Sequence, residues 1–311
     1  MLVPVQEQAG RCGVGIGAEP SLRGAEIARA QRKRPDNLGA YDLYLQALPH
    51  AYAQTSDGRT LALALLDKAL AVDPNYAEAH GLAAWCHLQR VLSESPDLSA
   101  DMASSLAHAK AVMALRTDDA STLAFAAVAY TGATKDFETA VQMTDHALAR
   151  NPSNTHALTF GAAVNAWAGR LDLTVPLAER ALRCSPFDPL GYVAWAAIAR
   201  ARLVQGEAEA ALAAARRAVQ TNPGHLPSHG YVLICLVRLG RAQELEAALE
   251  RIRTSFPRKA GAFYSTPVIW AVRRRAEGGR VARMIGRGSA SSRSPCSPAI
   301  RNLSLASVRP S

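Results

Sequence analysis

Short helix-breaking turns recur along most of this chain, and they limit what it can fold into. "VDPNY" stands at 72–76, "RTDDA" at 116–120, "RNPSN" at 150–154, "CSPFDP" at 184–189, "TNPGH" at 221–225 and "SFPR" at 255–258. Pro152 and Pro186 are 34 residues apart, Pro186 and Pro223 are 37 apart, and Pro223 and Pro257 are 34 apart. Asp119, in the place of a proline, precedes Pro152 by 33 residues and follows Pro74 by 45. The long interval implies an insertion of about eleven residues, expected around "VLSESPDLSA". A proline cannot continue a helix and fixes where the next one starts. Each interval is long enough for two helices and a turn. Such a pair leaves an apolar face uncovered, so the pairs must stack.

A 34-residue period closed by proline resembles the tetratricopeptide repeat. The interval 190–223 matches best. Trp195, Ile198 and Ala199 hold the apolar places of a first helix, and Gly206 makes the turn. Ala211, Ala215 and Ala218 form the close-packing face of a second helix, and Pro223 ends it. The preceding interval keeps Gly169, Ala178, Ala181 and Pro186, and the following one Gly240, Leu245, Leu249, Ile252 and Pro257. "LALALLDKALAVDP" supplies Ala62, Leu66, Ala69 and Pro74 to the first. Alanines at this spacing let two helices approach closely. The expected fold is therefore all-α: a tetratricopeptide-type solenoid of about six helix pairs over residues 38–257. A flexible leader is expected at 1–20, a linker helix at 21–37 and a basic disordered tail at 258–311.

"RGAEIARAQRKRPDNLGAYDLYLQALPH" (23–50) and "WAGRLDLTVPLAERALRCSPFDP" (167–189) resemble the C-terminal repeat region of a group of bacterial multidomain proteins. In those, a nucleotide cyclase domain or a winged-helix DNA-binding domain precedes the repeats. The resemblance implies a regulatory or interaction module and transfers no catalytic residue. Only about 20 residues precede the resemblance, too few for either effector domain, so a module detached from its effector is expected.

Composition agrees with packed helices. Hydrophobic residues make up 49% of the chain and aromatic ones 6%, a balance that suits Ala- and Leu-rich helices better than a β-sandwich. The five cysteines are odd in number, widely spaced and without a CxxC pair. That speaks against a zinc ribbon or a disulfide framework and for a reducing, cytoplasmic setting. No run of 18 apolar residues suggests a membrane span.

The net charge of +9 hides an asymmetry. Residues 258–311 hold 11 basic residues and one acid, Glu277, while residues 1–257 hold 24 basic and 25 acidic residues. A nucleic-acid function for the whole chain is therefore not implied. The tail itself has three readings: out-of-frame translation of a GC-rich coding sequence, a basic arm with sequence-independent, salt-dependent nucleic-acid binding, or an extension without a role. The glycine-rich start is open to the same frame-shift reading.

Two motifs tempt and fail. "GVGIGA" (13–18) has the spacing of a phosphate loop, but no strand precedes it and Pro20 follows at once. His225 and His229 are spaced like ligands on one helix face, but Pro227 lies between them and no third ligand is evident. No cofactor and no metal are expected, and no catalytic arrangement of nucleophile and base can be assembled.

A solenoid of this kind acts through its concave face, lined by first helices. Counting from the anchored intervals places Trp85, Phe125, Thr159, Ala163, Arg200, Ile234 and Arg238 on it, with Trp167 near its end. The arginines suit a carboxylate, and Trp85 and Phe125 an apolar anchor. The Lys/Asn set of carboxylate-clamp repeats does not stand at the matching positions. The expected partner is a protein or peptide segment, with self-association through open end repeats a further expectation.

Overall fold

The computed structural model describes residue 27, residues 39–93 and residues 95–257. The phosphate-loop-like motif, the frame-shift readings and the basic tail fall outside these residues, as does all of the proposed linker helix except Ile27. Twelve helices form six antiparallel pairs among the described residues. They are α1 (Ala40–Tyr52) with α2 (Ser56–Val72), α3 (Ala77–Leu92) with α4 (Leu98–Leu115), and α5 (Ala120–Thr134) with α6 (Phe137–Arg150). There follow α7 (Thr155–Ala168) with α8 (Leu171–Cys184), α9 (Gly191–Val204) with α10 (Ala208–Thr221), and α11 (Leu226–Arg238) with α12 (Ala242–Ser255). The all-α solenoid read from the proline period is the observed architecture.

The turns are written in local chemistry. At two of the links between pairs, a short polar side chain caps the next helix. Asp119 accepts from the Thr122 amide at 2.7 Å, and Asn154 from the Ala157 amide at 2.8 Å. The same device starts second helices at Asp97, Asp136 and Thr55. Within three pairs the turn needs a left-handed backbone, and Gly169, Gly206 and Gly240 supply it with φ of 81°, 86° and 68°. Lys135 stands in the same place one repeat earlier, at φ 63°.

The insertion in the second pair is absorbed in two ways. Its helices run to 16 and 18 residues against 14 for α7 to α10, and the link between them spans 93–97. The lengthened pair carries its own polar cluster. His87 Nδ1 donates to Asp101 Oδ1 at 2.8 Å, Arg90 Nε lies 3.1 Å from Asp101 Oδ2, and Ser95 donates to the same oxygen. Asp101 is buried, and this network compensates its charge.

Second helices bury alanine against the next pair. Ala62, Ala69, Ala109, Ala140, Ala147, Ala178, Ala211, Ala215 and Ala218 are all fully buried. First helices also approach closely. A Cβ built on Gly81 would stand 2.9 Å from Thr122 Cγ2, so α3 and α5 touch almost backbone to backbone.

The stack winds tightly enough to meet itself. Gln54, in the α1–α2 turn, donates to the carbonyl of Pro189, 135 residues away. Tyr52 lies against His156 with ring centroids 6.0 Å apart. Arg59, buried beside this junction, donates to the Gln54 carbonyl and to Ser93 Oγ, both at 3.0 Å. The first pair thus closes over the concave face at the fifth. No described helix is long and apolar enough to cross a membrane.

Candidate binding cavity on the concave face

Inside the winding, first helices from several pairs face one another, and aromatic rings fill the gap between them. Trp85 of α3 packs edge-on against Phe160 of α7 at 4.8 Å and lies 6.0 Å from Phe125 of α5. Phe125 continues to His156 at 5.0 Å. On the other side Tyr192 packs against His225 at 4.7 Å. Ring pairs at these separations add to area burial.

Beside this aromatic layer lies a cavity of about 190 Å³. Its wall is mostly apolar and comes chiefly from α3, α5, α7, α9 and α11, with Met102 of α4 and Phe137 of α6 completing it. Trp85 and Gln89 belong both to this wall and to the packed layer that includes Gln54, Arg59 and Tyr192, so they mark the closed end. Lys135 is exposed and Trp167 and Arg200 are half-buried, so they mark the mouth.

The polar groups of this wall are few. Arg200 Nε donates to the Ala166 carbonyl at 2.9 Å, and Lys135 Nζ to the Gly132 carbonyl at 2.8 Å. Neither meets a carboxylate among the described residues, and no acid lines the cavity. Although the Lys135 side chain is exposed at the mouth, desolvation by the surrounding protein lowers its ammonium below the ordinary value. Burial, and then His229, holds the His225 imidazole down to about 3, so it is neutral at pH 7, paired with Ser228 Oγ at 2.6 Å. Gln89 is 8% exposed and faces the buried Tyr192 phenol. Its amide nitrogen makes no hydrogen bond of normal geometry among the described residues.

The positions read from the sequence fall in three places. Trp85, Ala163, Trp167 and Arg200 line the cavity. Phe125 and Thr159 lie in the packed core, each 2% exposed. Ile234 is half-buried against the core, and Arg238 is exposed and donates to the Leu203 carbonyl at 2.5 Å. His225 and His229 hold no common ligand geometry. His229 Nε2 instead pairs with the Pro223 carbonyl at 2.9 Å, as His80 Nε2 does with Pro74 at the same distance. No group of three or more metal-binding side chains occurs among the described residues. Cys86 and Cys235 are buried thiols pushed up to about 12 and about 11 by burial, which removes their nucleophilicity.

Gln89 and Lys135 were not legible as site residues. Gln89 is one polar residue in the apolar run "WCHLQRVL", and Lys135 occupies a place that glycine holds in three later repeats.

Comparison with known proteins agrees with the fold. Residues 134–261 match the model of the bacterial transcriptional activator domain, from the end of α5 through α12. Among curated protein sequences none matches this one. A monomeric mutant of IFIT1 with m7Gppp-AAAA superposes with a TM-score of 0.56 at 13% identity, over 83% of this chain and 63% of that one. The human IFIT1 dimer with m7Gppp-AAAA gives 0.52 at 15% identity, over 69% of this chain and 50% of that one. This chain therefore spans between half and two thirds of the IFIT1 chains it resembles. A thermophilic tetratricopeptide-repeat protein of Thermus thermophilus gives 0.46 at 20% identity, over 64% of this chain and all of that one. The chain folds as a tetratricopeptide-like solenoid whose C-terminal four pairs include a match to the bacterial transcriptional activator domain.

Proposed function

We propose that this protein is a non-catalytic interaction and regulatory module of the kind attached to bacterial transcription regulators, and that a partner protein segment engages its concave face at the cavity mouth. The observation that carries the reading is the family match over 134–261, which covers the helices that build one side of the cavity. Between the two effector types suggested by the sequence, that match favours a DNA-binding regulator over a nucleotide cyclase. The chemistry of the face agrees with a binding role. An apolar wall with a few convergent polar groups recognises a ligand, while nothing on it pairs a nucleophile with a base.

Site-specific photo-crosslinking in native cells tests this. A benzophenone amino acid replaces Trp167 at the mouth, or Phe187, which is 98% exposed and outside the cavity. A defined polypeptide adduct from position 167 and none from position 187 is expected. No adduct from either position, or the same adducts from both, overturns the reading.

A further inference from the structure

The concave cavity has a size, a polarity and a direction. A dry cavity of about 150 Å³ holds a benzene molecule, so about 190 Å³ suits a single ring with a short arm. The body of the wall is apolar, with Trp85, Val128 and Ala163 among its residues. At the closed end the Gln89 amide nitrogen is turned to the buried Tyr192 phenol and shielded from the cavity space. At the mouth stand two cations, Lys135 and Arg200, and no acid lines the wall. A guanidinium has five N–H groups and an ammonium three. The single bonds to Ala166 and Gly132 leave each cation able to donate again.

We propose that this cavity binds a small aromatic carboxylic acid. The ring lies against Trp85, and the carboxylate meets Lys135 and Arg200 at the mouth. The inference does not rest on the partner-binding reading, since a small acid can occupy the cavity whether or not a protein segment crosses its mouth.

Calorimetry on the full chain with phenylpropionate and phenylpropionamide is the test. One saturable site is expected for the acid, with the amide binding about tenfold or more weakly, as loss of a charge-assisted contact predicts. Lys135→Gln should weaken the acid and leave the amide unchanged. Equal affinity for acid and amide, or no heat from the acid at millimolar concentration, overturns the proposal. So does a short peptide with adjacent phenylalanine and aspartate that binds where the free acid does not. The ligand-side comparison needs no variant, so it stands even if a substitution disturbs folding. Failure here leaves the crosslinking result untouched, and the reverse also holds.

Discussion

Arg200 Nε donates to the Ala166 carbonyl at 2.9 Å, and one repeat later the Arg238 guanidinium donates in the same way to the Leu203 carbonyl. Each arginine reaches from one first helix to a carbonyl in the last turn of the first helix before it, and that of Leu203 also accepts from the Gly206 amide at 3.3 Å. Those carbonyls carry the negative end of the helix dipole, so a cation there is favoured twice, by the bond and by the field. The pair is a staple between successive repeats.

Removing the staple should loosen neighbouring repeats. Arg200→Met keeps the apolar stem and deletes the head. A loss of about 1 kcal/mol is expected, at the low end for a charged hydrogen bond because Arg200 is partly exposed. Arg238→Met should cost less, being exposed. Urea unfolding of the two single variants and the double variant measures both. An unchanged midpoint for Arg200→Met would show that the bond adds nothing to solvent at that site.

Lys135 should be a weak point in the tight turn between α5 and α6. Its φ of 63° suits glycine, which holds the corresponding turn at Gly169, Gly206 and Gly240. A non-glycine residue pays roughly 1–2 kcal/mol for this conformation. Lys135→Gly should therefore stabilise by roughly 0.5–1 kcal/mol, after the extra freedom of glycine in the unfolded chain is subtracted. Gly169→Ala should destabilise by roughly 1 kcal/mol or more for the mirrored reason. A Cβ at Gly169 meets nothing within 4 Å, so the cost there is backbone conformation alone. Thermal and urea midpoints of the two variants should move in opposite directions.

The proline period made the helix pairs legible because it records where helices must stop. Gly169, Gly206 and Gly240 were legible as turns for the same reason. What the period could not record is how far the stack winds. The contact of Gln54 with Pro189 spans 135 residues and depends on small rotations summed over several pairs. That winding brings Trp85, Phe125 and Phe160 into one aromatic layer and leaves the cavity beside it. Counting along repeats concerns the face on which a residue sits, and Trp85, Trp167 and Arg200 line the cavity. It does not find depth, so core residues such as Thr159 look the same as surface ones. Lys135 was hidden because its repeat lacks the glycine that would have flagged the turn.

The approach of α3 to α5 should tolerate no added atom. A Cβ at Gly81 would stand 2.9 Å from Thr122 Cγ2 and 3.2 Å from both the Thr122 Cα and its carbonyl oxygen. Two of those three atoms are backbone and cannot rotate away. Gly81→Ala should cost roughly 1–3 kcal/mol through strain, more than the small helix-propensity gain of alanine returns. Thr122→Ser removes the methyl group and keeps the hydroxyl bond to Asp119. The double variant should recover part of the loss but not all, and a double-variant cycle in urea reads the coupling. Full additivity of the two changes would show that α3 and α5 move apart freely.

Acid should loosen this protein before its carboxylates titrate. His108 is held down to about 4, first by burial and then by His80 and His87, and His225 is held down to about 3 by burial. Both have an ordinary value of 6.5. A histidine whose folded value lies below its unfolded one binds fewer protons folded than unfolded. Its contribution is therefore complete above pH 6.5 and is lost as pH falls from 6.5 toward 4. Asp136 and Glu250 are also lowered, by hydrogen bonds from Thr139 and Arg253, but their losses begin only below their ordinary values of 3.8 and 4.5. Stability measured by urea unfolding should be flat between about pH 7 and 8 and should decline already between about pH 6.5 and 5. His108→Asn should flatten part of that decline, because asparagine retains a polar head without a proton to gain. A variant whose stability falls as steeply as the parent's in this window would assign the loss to His225 or to other groups.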